Sequence, residues 1–246
     1  MTKEPTSPLV LVTGGTRGLG LAIARRLAAD GYRVIAAGRK STADLAKAMA
    51  DAEGRIVYEP LDLADTGKLQ ATVNRLTKAH GPLYGLVNNG AIAHDGVLAT
   101  MHDTQIAEVL LVNVTGTIIL TKYALRSMLV SGRGRVVNIA SIIGSTGFNG
   151  LSVYGASKAA LLGFTRSLAR EVGRAGITVN SVSPGYMKTD MTAGLEGEKL
   201  AAIERRAAMK TLVATDDVAG GVAYLLSKDA ALVTGTELTI DAGSTA

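Results

Sequence analysis

The sequence predicts a single α/β domain, a parallel, doubly wound sheet of seven strands with helices on both faces. Short runs of β-branched residues alternate with longer segments of helical periodicity, which is typical of parallel strands joined by crossover helices. Most of these runs are continuously apolar, as expected of strands covered on both faces. No linker or repeat interrupts the alternation. We therefore expect one domain over residues 9–246, after a flexible polar tail over residues 1–8.

The predicted elements follow one another in a regular order. The strands are expected at Leu9–Val12, Arg33–Ala37, Ile56–Glu59, Gly85–Asn88, Arg135–Ala140, Thr178–Val182 and Glu237–Ile240. Helices are expected between them. The first helix shows its inner face in the sequence, because Leu19, Ile23 and Leu27 recur every four residues. One long irregular stretch runs from Pro184 to about Leu195, and its length indicates a functional loop.

Composition and charge argue against several classes of protein. The chain has no cysteine, hence no disulfide framework and no thiolate metal site, which suits the cytoplasm. Its net charge of +5 comes from dispersed basic residues without interleaved aromatic ones, so we expect no nucleic-acid partner. The most apolar stretch, Val109 to Leu120, is too short to span a bilayer, and the polar start does not resemble a signal peptide. His80, His94 and His102 share no metal-ligand spacing, so we expect no metal.

A glycine-rich turn follows the first predicted strand. Gly14 permits a tight turn, Gly18 lets a pyrophosphate approach the backbone, and Gly20 permits close packing of the next helix. The N-terminus of that helix offers unbonded N–H groups and a partial positive charge to phosphate. A simple tight turn is the alternative, but the strand-turn-helix context favours a Rossmann-type dinucleotide site. The residues expected at this site are Gly14, Thr16, Arg17, Gly18, Leu19 and Gly20.

The residues after the second and third strands indicate which dinucleotide binds. An NAD site needs a carboxylate at the end of the second strand, where this chain has Arg39 and Lys40. Arg39, together with Arg17, can hold a 2′-phosphate instead, so we predict NADP(H); solvated turn residues are the alternative. Asp62 ends the third strand, where it either accepts a hydrogen bond from the adenine amino group or caps the following helix.

Three further residues predict hydride transfer to or from a carbon–oxygen bond. Tyr154 and Lys158 are four residues apart, so they share one face of a predicted helix. A free tyrosine has a pKa near 10, and we expect the Lys158 ammonium, helped by an oxidised nicotinamide, to favour the phenolate. Ser141 ends the fifth strand at the carboxyl edge of the sheet, where its hydroxyl can hold a substrate oxygen. A Tyr/Lys pair alone would more often be surface packing on a helix.

With these motifs the chain resembles the short-chain dehydrogenase/reductase family, from about Val10 to Gly243. The matching pieces are the glycine turn, Asp62, Asn88-Asn89, Asn113, Ser141, Tyr154-x3-Lys158, Pro184-Gly185 and Thr189. The resemblance implies that Tyr154 is the acid/base, that Ser141 orients the carbonyl, and that Lys158 binds the nicotinamide ribose. It also implies that Asn113 holds a water in a proton relay and that Thr189 bonds the nicotinamide amide. The expected cofactor site is completed by Leu63, Asn89, Gly90, Pro184 and Gly185.

Within the family the chain looks most like the 3-oxoacyl-[acyl-carrier-protein] reductases. The similar stretches are residues 163–172, 176–180, 184–192 and 233–235. This resemblance implies an acyl thioester substrate carried by CoA or an acyl carrier protein, and a role in fatty acid synthesis. It also implies a homotetramer built through the two long helices that end near Val130 and Gly173. One departure is Leu151, three residues before Tyr154, where such reductases often have a polar residue.

A second departure follows the fourth strand. The usual Asn-Asn-Ala-Gly of the family reads Asn88-Asn89-Gly90-Ala91 in this chain. If the fourth position requires a positive φ, Ala91 strains or displaces the loop. On that reasoning, exchanging Gly90 and Ala91 to restore the family order should tighten cofactor binding by about 1 kcal/mol.

Three functions are compatible with the sequence. The first is an NADPH-dependent 3-ketoacyl thioester reductase. The second is an enzyme of the same family that acts on a free small ketone, sugar, polyol or steroid. The third is an NADP-binding sensor or scaffold without turnover. The presence of Asn113, Ser141, Tyr154 and Lys158 argues against the third, because a protein that only binds the dinucleotide needs only the glycine turn.

Overall fold

A seven-stranded, all-parallel sheet forms the centre of the protein, in the order β3-β2-β1-β4-β5-β6-β7. The structure, a computed structural model, describes residues 7–187 and 198–246. The strands are β1 (Leu9–Thr13), β2 (Arg33–Gly38), β3 (Ile56–Pro60), β4 (Leu83–Asn88), β5 (Gly134–Ile139), β6 (Ile177–Pro184) and β7 (Glu237–Ile240). All the predicted strands and the doubly wound fold are confirmed. Most of the predicted flexible tail, residues 1–6, lies outside the described residues.

Helices cover both faces of this sheet. They are α1 (Gly18–Ala29), α2 (Ala43–Asp51), α3 (Leu69–His80), α4 (Asp103–Leu110), α5 (Thr117–Ser131), α6 (Ile143–Thr146), α7 (Ser152–Val172), α8 (Glu198–Arg206) and α9 (Thr215–Leu226). Alternate strand residues face opposite layers. Leu9 and Leu11 belong to the core that contains α3, α5 and α7 residues, whereas Val10 and Val12 belong to the core that contains α1, α2 and α9 residues. Because both faces are buried, the strands are continuously apolar.

The segment 103–131 is one continuous run of helix, because Leu111–Gly116 joins α4 to α5 as a π-helix. By length and composition alone it could cross a membrane, so the sequence argument that this region is too short was wrong. Its inner side, however, packs into the core of the α/β domain through Leu120, Ala124 and Met128. Asn113 is also hydrogen-bonded to the loop after β4. In this fold the segment therefore serves as a core helix.

The order of the strands determines where a ligand can bind. β2 and β3 lie on one side of β1, and β4 to β7 lie on the other. Crossover connections leave β1 and β4 towards opposite faces, which opens a crevice above the carboxyl ends of these strands. The glycine turn, the loop after β4 and the segment after β5 meet around this crevice. The main sequence motifs are thus brought to one edge of the sheet.

Candidate active site

A cavity of about 620 Å³ opens at the carboxyl edge of the sheet. The glycine turn, the loops that follow β2 to β5, and the first two turns of α7 surround it. The predicted site residues that line it are Gly14, Thr16, Arg17, Gly18, Leu19, Gly20, Arg39, Asp62, Leu63, Asn89, Gly90, Ser141, Tyr154, Lys158, Pro184 and Gly185. Asn113 is buried behind the wall, and Thr189 lies outside the described residues.

The glycine turn has the backbone geometry that a phosphate cradle needs. Gly14 and Gly18 have φ values of +61° and +51°, in the left-handed region that glycine tolerates. A Cβ on Gly20 would lie 2.1 Å from the Gly14 carbonyl oxygen, so only glycine lets α1 begin this close to the turn. A Cβ on Gly18 would meet no atom within 4 Å, because that side faces the open cavity. The N-terminus of α1 therefore has room for a pyrophosphate.

The loop after β4 holds the glycine turn in place. The Asn89 side-chain amide donates to the carbonyl oxygens of Thr13 (2.9 Å) and Gly14 (3.2 Å). In return, the Thr13 hydroxyl accepts from the backbone N–H groups of Asn89 (3.0 Å) and Gly90 (2.9 Å). The sequence motif includes Thr13, but no role was predicted for its side chain. Its position directly before Gly14 was the available signal, since a hydroxyl there can bond the neighbouring loop.

The strain expected at Ala91 is absent from the structure. Neither Gly90 nor Ala91 has a positive φ, so alanine at the fourth position has no left-handed penalty. Glycine suits position 90 because of close packing rather than backbone conformation. A Cβ at this position would lie 3.1 Å from Leu63 Cδ1 and 3.3 Å from the Gly14 nitrogen, both tight contacts. The prediction of strain was wrong because the loop bends without a left-handed residue.

One end of the cavity is basic. Arg17 and Arg39 are exposed there, and no carboxylate follows β2. Asp62 also lines this end, and its Oδ1 accepts from the Ala64 N–H at 2.9 Å. That bond closes a turn after β3 rather than capping a helix, because α3 begins only at Leu69. A contact between Asp62 and adenine stays a prediction.

Ser141 and Tyr154 form a pair of hydroxyls at the other end of the cavity. Both side chains line the cavity, and Ser141 lies close enough to influence the pKa of Tyr154. Ser141 lies just beyond β5, and its Oγ accepts from the Ile143 N–H at 3.3 Å. Burial raises the pKa of Tyr154 to about 12, and the nearby Ser141 hydroxyl opposes this shift without cancelling it. At neutral pH the phenol therefore keeps its proton and can donate it.

Lys158 is anchored to the end of β5 rather than to Tyr154. Its Nζ donates to the Ile139 carbonyl oxygen at 2.8 Å and lies 5.5 Å from the centroid of the Tyr154 ring. The side chain is buried, and burial lowers the pKa of Lys158 to about 8. Burial is the main cause of the Tyr154 shift, and Lys158 is not among its causes. That this ammonium, helped by an oxidised nicotinamide, favours the phenolate stays a prediction.

Asn113 connects the loop after β4 to α7. Its Oδ1 accepts from the Ile92 N–H at 2.9 Å, and its Nδ2 donates to the Ile92 carbonyl oxygen at 2.8 Å and to Ser157 Oγ at 3.1 Å. Ser157 in turn donates to the Tyr154 carbonyl oxygen at 2.7 Å. Asn113 thus helps to position α7, while the water relay stays a prediction. The sequence analysis missed Ser157, although it lies inside the Tyr154-x3-Lys158 motif.

Other titratable groups lie around the loop after β4. His94 Nε2 is 2.8 Å from Glu108 Oε2, a carboxylate partner that the sequence spacing did not indicate. Asp95 lines the cavity, and burial together with the Asp95 charge raises the pKa of Tyr186. Within residues 7–187 and 198–246, no group of three or more histidine, aspartate or glutamate side chains could hold a metal ion.

Comparisons with known proteins agree with this geometry. A family model described as Enoyl-(Acyl carrier protein) reductase matches residues 14–245. The chain is 36% identical to the 3-oxoacyl-[acyl-carrier-protein] reductase FabG of Escherichia coli (strain K12), over 96% of both proteins. It is 38% identical to FabG of Haemophilus influenzae, over 96% of this chain and 97% of the relative. It is also 36% identical to the 3-oxoacyl-[acyl-carrier-protein] reductase MabA of Mycobacterium avium, over 95% of this chain and 88% of the relative.

The exchange Gly90→Ala with Ala91→Gly should weaken NADPH binding. The new methyl group at residue 90 presses on the Gly14 nitrogen and on Leu63, and mild overpacking of about 1 kcal/mol corresponds to roughly fivefold in the dissociation constant. A fluorescence titration with NADPH measures the effect. Ala91→Gly alone is the matched control. It should leave the cradle intact and lower only the free energy of unfolding, by about 0.5–1 kcal/mol. Unchanged affinity in the double variant would show that the loop yields to the methyl group.

The buried Lys158 should make stability depend on pH. Its pKa of about 8 in the folded protein lies below the ordinary 10.5, so between these values the unfolded chain binds more protons. The free energy of unfolding of the wild type should therefore rise relative to Lys158→Met as the pH increases from about 8 to 10.5. The expected change is about 3 kcal/mol. Urea unfolding of both proteins across this range measures it. A constant difference would mean that Lys158 has an ordinary pKa.

Proposed function

Because the chain belongs to the short-chain dehydrogenase/reductase family of oxidoreductases acting on keto or hydroxyl groups, we propose that it reduces 3-oxoacyl thioesters with NADPH. One observation carries the proposal. A single cavity has the neighbouring hydroxyls of Ser141 and Tyr154 at one end and the pair Arg17 and Arg39 at the other. The choice of substrate draws on the relatives, which are named as 3-oxoacyl-[acyl-carrier-protein] reductases.

Tyr154, Ser141 and Lys158 have different roles in the proposed reduction of a ketone. A nicotinamide bound in the cavity supplies a hydride to the carbonyl carbon. Tyr154 donates its proton to the carbonyl oxygen as negative charge develops there, and its pKa of about 12 keeps the proton available until that moment. Ser141 donates a hydrogen bond to the same oxygen. The Lys158 ammonium, 5.5 Å from the Tyr154 ring, stabilises the phenolate that remains.

The two hydroxyls support a ketone rather than a carbon–carbon double bond as the reacting group. A ketone oxygen takes up the proton and accepts a second hydrogen bond, which suits a serine and a tyrosine whose hydroxyls are neighbours in the cavity. Reduction of an enoyl thioester also develops negative charge on an oxygen, that of the thioester carbonyl, but its proton ends on carbon rather than on the oxygen that Ser141 and Tyr154 would hold. We therefore prefer the activity in the names of the relatives to the one in the description of the family model.

The residues of the cavity fit NADPH. The space beside Gly18 suits the pyrophosphate, and Lys158 provides donors for the nicotinamide ribose. Arg17 and Arg39 suit a 2′-phosphate, because a charge-assisted hydrogen bond to phosphate contributes on the order of 1.5–3 kcal/mol. Both arginines are exposed, so solvent screening reduces this contribution.

We also propose that the protein is a homotetramer and that it is cytoplasmic. Among the described residues, exposed large apolar side chains accumulate along residues 103–131 at Leu110, Leu111, Ile118, Leu129 and Val130. Such a surface supports packing against a second copy of the chain, as in a homotetramer. A chain without cysteine suits a reducing cytoplasm, where CoA and acyl carrier protein thioesters are available.

A substrate screen with a matched variant tests the activity. NADPH oxidation is followed with acetoacetyl-CoA, a 3-oxoacyl carrier-protein thioester, a simple ketone and a 2-enoyl thioester. We expect the 3-oxo thioesters to give the highest kcat/KM. Tyr154→Phe should retain NADPH affinity and lose about 10²–10⁴-fold in kcat, since it lacks the proton donor. Preference for the free ketone or the enoyl thioester would contradict the substrate assignment, and no turnover at all would favour a sensor.

Arg39→Ala tests the choice of cofactor. The dissociation constant of NADPH should rise roughly tenfold, whereas that of NADH should change little, because only NADPH has the 2′-phosphate. Lys40→Ala is the matched control, since it removes a neighbouring exposed charge outside the lining of the cavity. An equal loss of affinity for NADPH and NADH would show that Arg39 does not bind the 2′-phosphate.

A further inference from the structure

The mouth of the cavity has an apolar surface that the proposed reaction does not use. We call this surface the apolar rim; it consists of Val97, Leu98, Phe148, Leu151 and Tyr186. Val97 is 62% exposed, Leu98 54% and Phe148 44%, which are high values for large apolar side chains. Exposed apolar clusters beside a binding cavity usually extend the binding surface.

Contacts between loops bring these residues together. The Gly96 N–H donates to the Gly150 carbonyl oxygen at 2.9 Å, which joins the loop after β4 to the loop before α7. The Phe148 ring packs against the Tyr186 ring, with centroids 5.9 Å apart at a tilt of 53°. Leu151 and Tyr186 also line the cavity that contains Tyr154. The apolar rim is thus continuous with the wall of the reaction site.

The chemistry of the mouth points to an uncharged, apolar occupant. Asp95 lines the cavity, and its charge helps to raise the pKa of Tyr186. A carboxylate at this place repels a second carboxylate, such as the free end of an unesterified acid. An alkyl chain has no charge to be repelled. Its binding free energy becomes more favourable with each methylene that leaves water.

We propose that the apolar rim binds the alkyl chain of the substrate, so that the enzyme prefers 3-oxoacyl thioesters with chains of eight or more carbons. The inference rests on the proposed function and narrows its substrate class. The ketone lies at Ser141 and Tyr154, and the chain runs outward past Leu151 to Phe148 and Tyr186. Each methylene that is fully buried strengthens binding about fourfold, and each methylene that is half-buried on the rim strengthens it roughly twofold.

A series of 3-oxoacyl-CoA thioesters with 4, 8 and 12 carbons tests this preference. The wild type should show kcat/KM for the twelve-carbon substrate at least tenfold above that for the four-carbon substrate. The gain should appear mainly in KM, because chain binding is alike in the ground and transition states. Phe148→Ala should lower the ratio of the two kcat/KM values about fivefold or more. Leu151→Gln should lower it in the same direction, so the test survives if one variant folds poorly.

Leu232→Ala is the matched control. Leu232 is 97% exposed and precedes β7 at the opposite edge of the sheet, so its loss should leave the chain-length ratio unchanged. Equal kcat/KM for 4 and 12 carbons in the wild type, or an unchanged ratio in both rim variants, would overturn the inference and leave the proposed function intact. Failure to reduce any thioester in the series would instead contradict the proposed function itself.

Discussion

A buried ammonium bonded to the end of a central strand fixes the position of α7 beside the cavity. Lys158 extends from α7 to the Ile139 carbonyl oxygen, the last residue of β5. This bond holds α7 in place against the sheet. Tyr154 lies one turn earlier in the helix, close to Ser141, which follows β5. Asn113 and Ser157 hold the other side of the helix. The positions of the Ser141 and Tyr154 hydroxyls therefore depend on the contact between Lys158 and Ile139.

Burial shifts the two ionisable groups of the site in opposite directions. It disfavours the charged form of each, so the pKa of Tyr154 rises to about 12 and that of Lys158 falls to about 8. A protonated phenol beside a lysine that is still largely charged at neutral pH suits donation of a proton to a ketone. The same desolvation makes a charged Lys158 costly for folding, which is a common consequence of function in a buried site.

The cofactor end of the site relies on close backbone approach. Thr13 and Asn89 exchange hydrogen bonds that bring the glycine turn and the loop after β4 together. At this distance Gly20 has no room for a side chain and Gly90 has tight contacts, whereas Gly18 faces the open cavity. Packing thus leaves the N-terminus of α1 open to the cavity, and the exposed Arg17 and Arg39 give that end its positive charge.

The sequence by itself determined the layers of the fold and most of the lining of the site. Continuously apolar runs mark strands buried on both faces, and the spacing of Tyr154 and Lys158 places them on one helical face, because both signals are local. Only the tertiary structure decided the pKa values, the role of the Asn113 side chain and the reason for Gly90. Each depends on groups distant in sequence: the wall that buries Tyr154, the Ile92 backbone and the Gly14 nitrogen. The same holds for the apolar rim, whose loops meet only after the sheet has assembled.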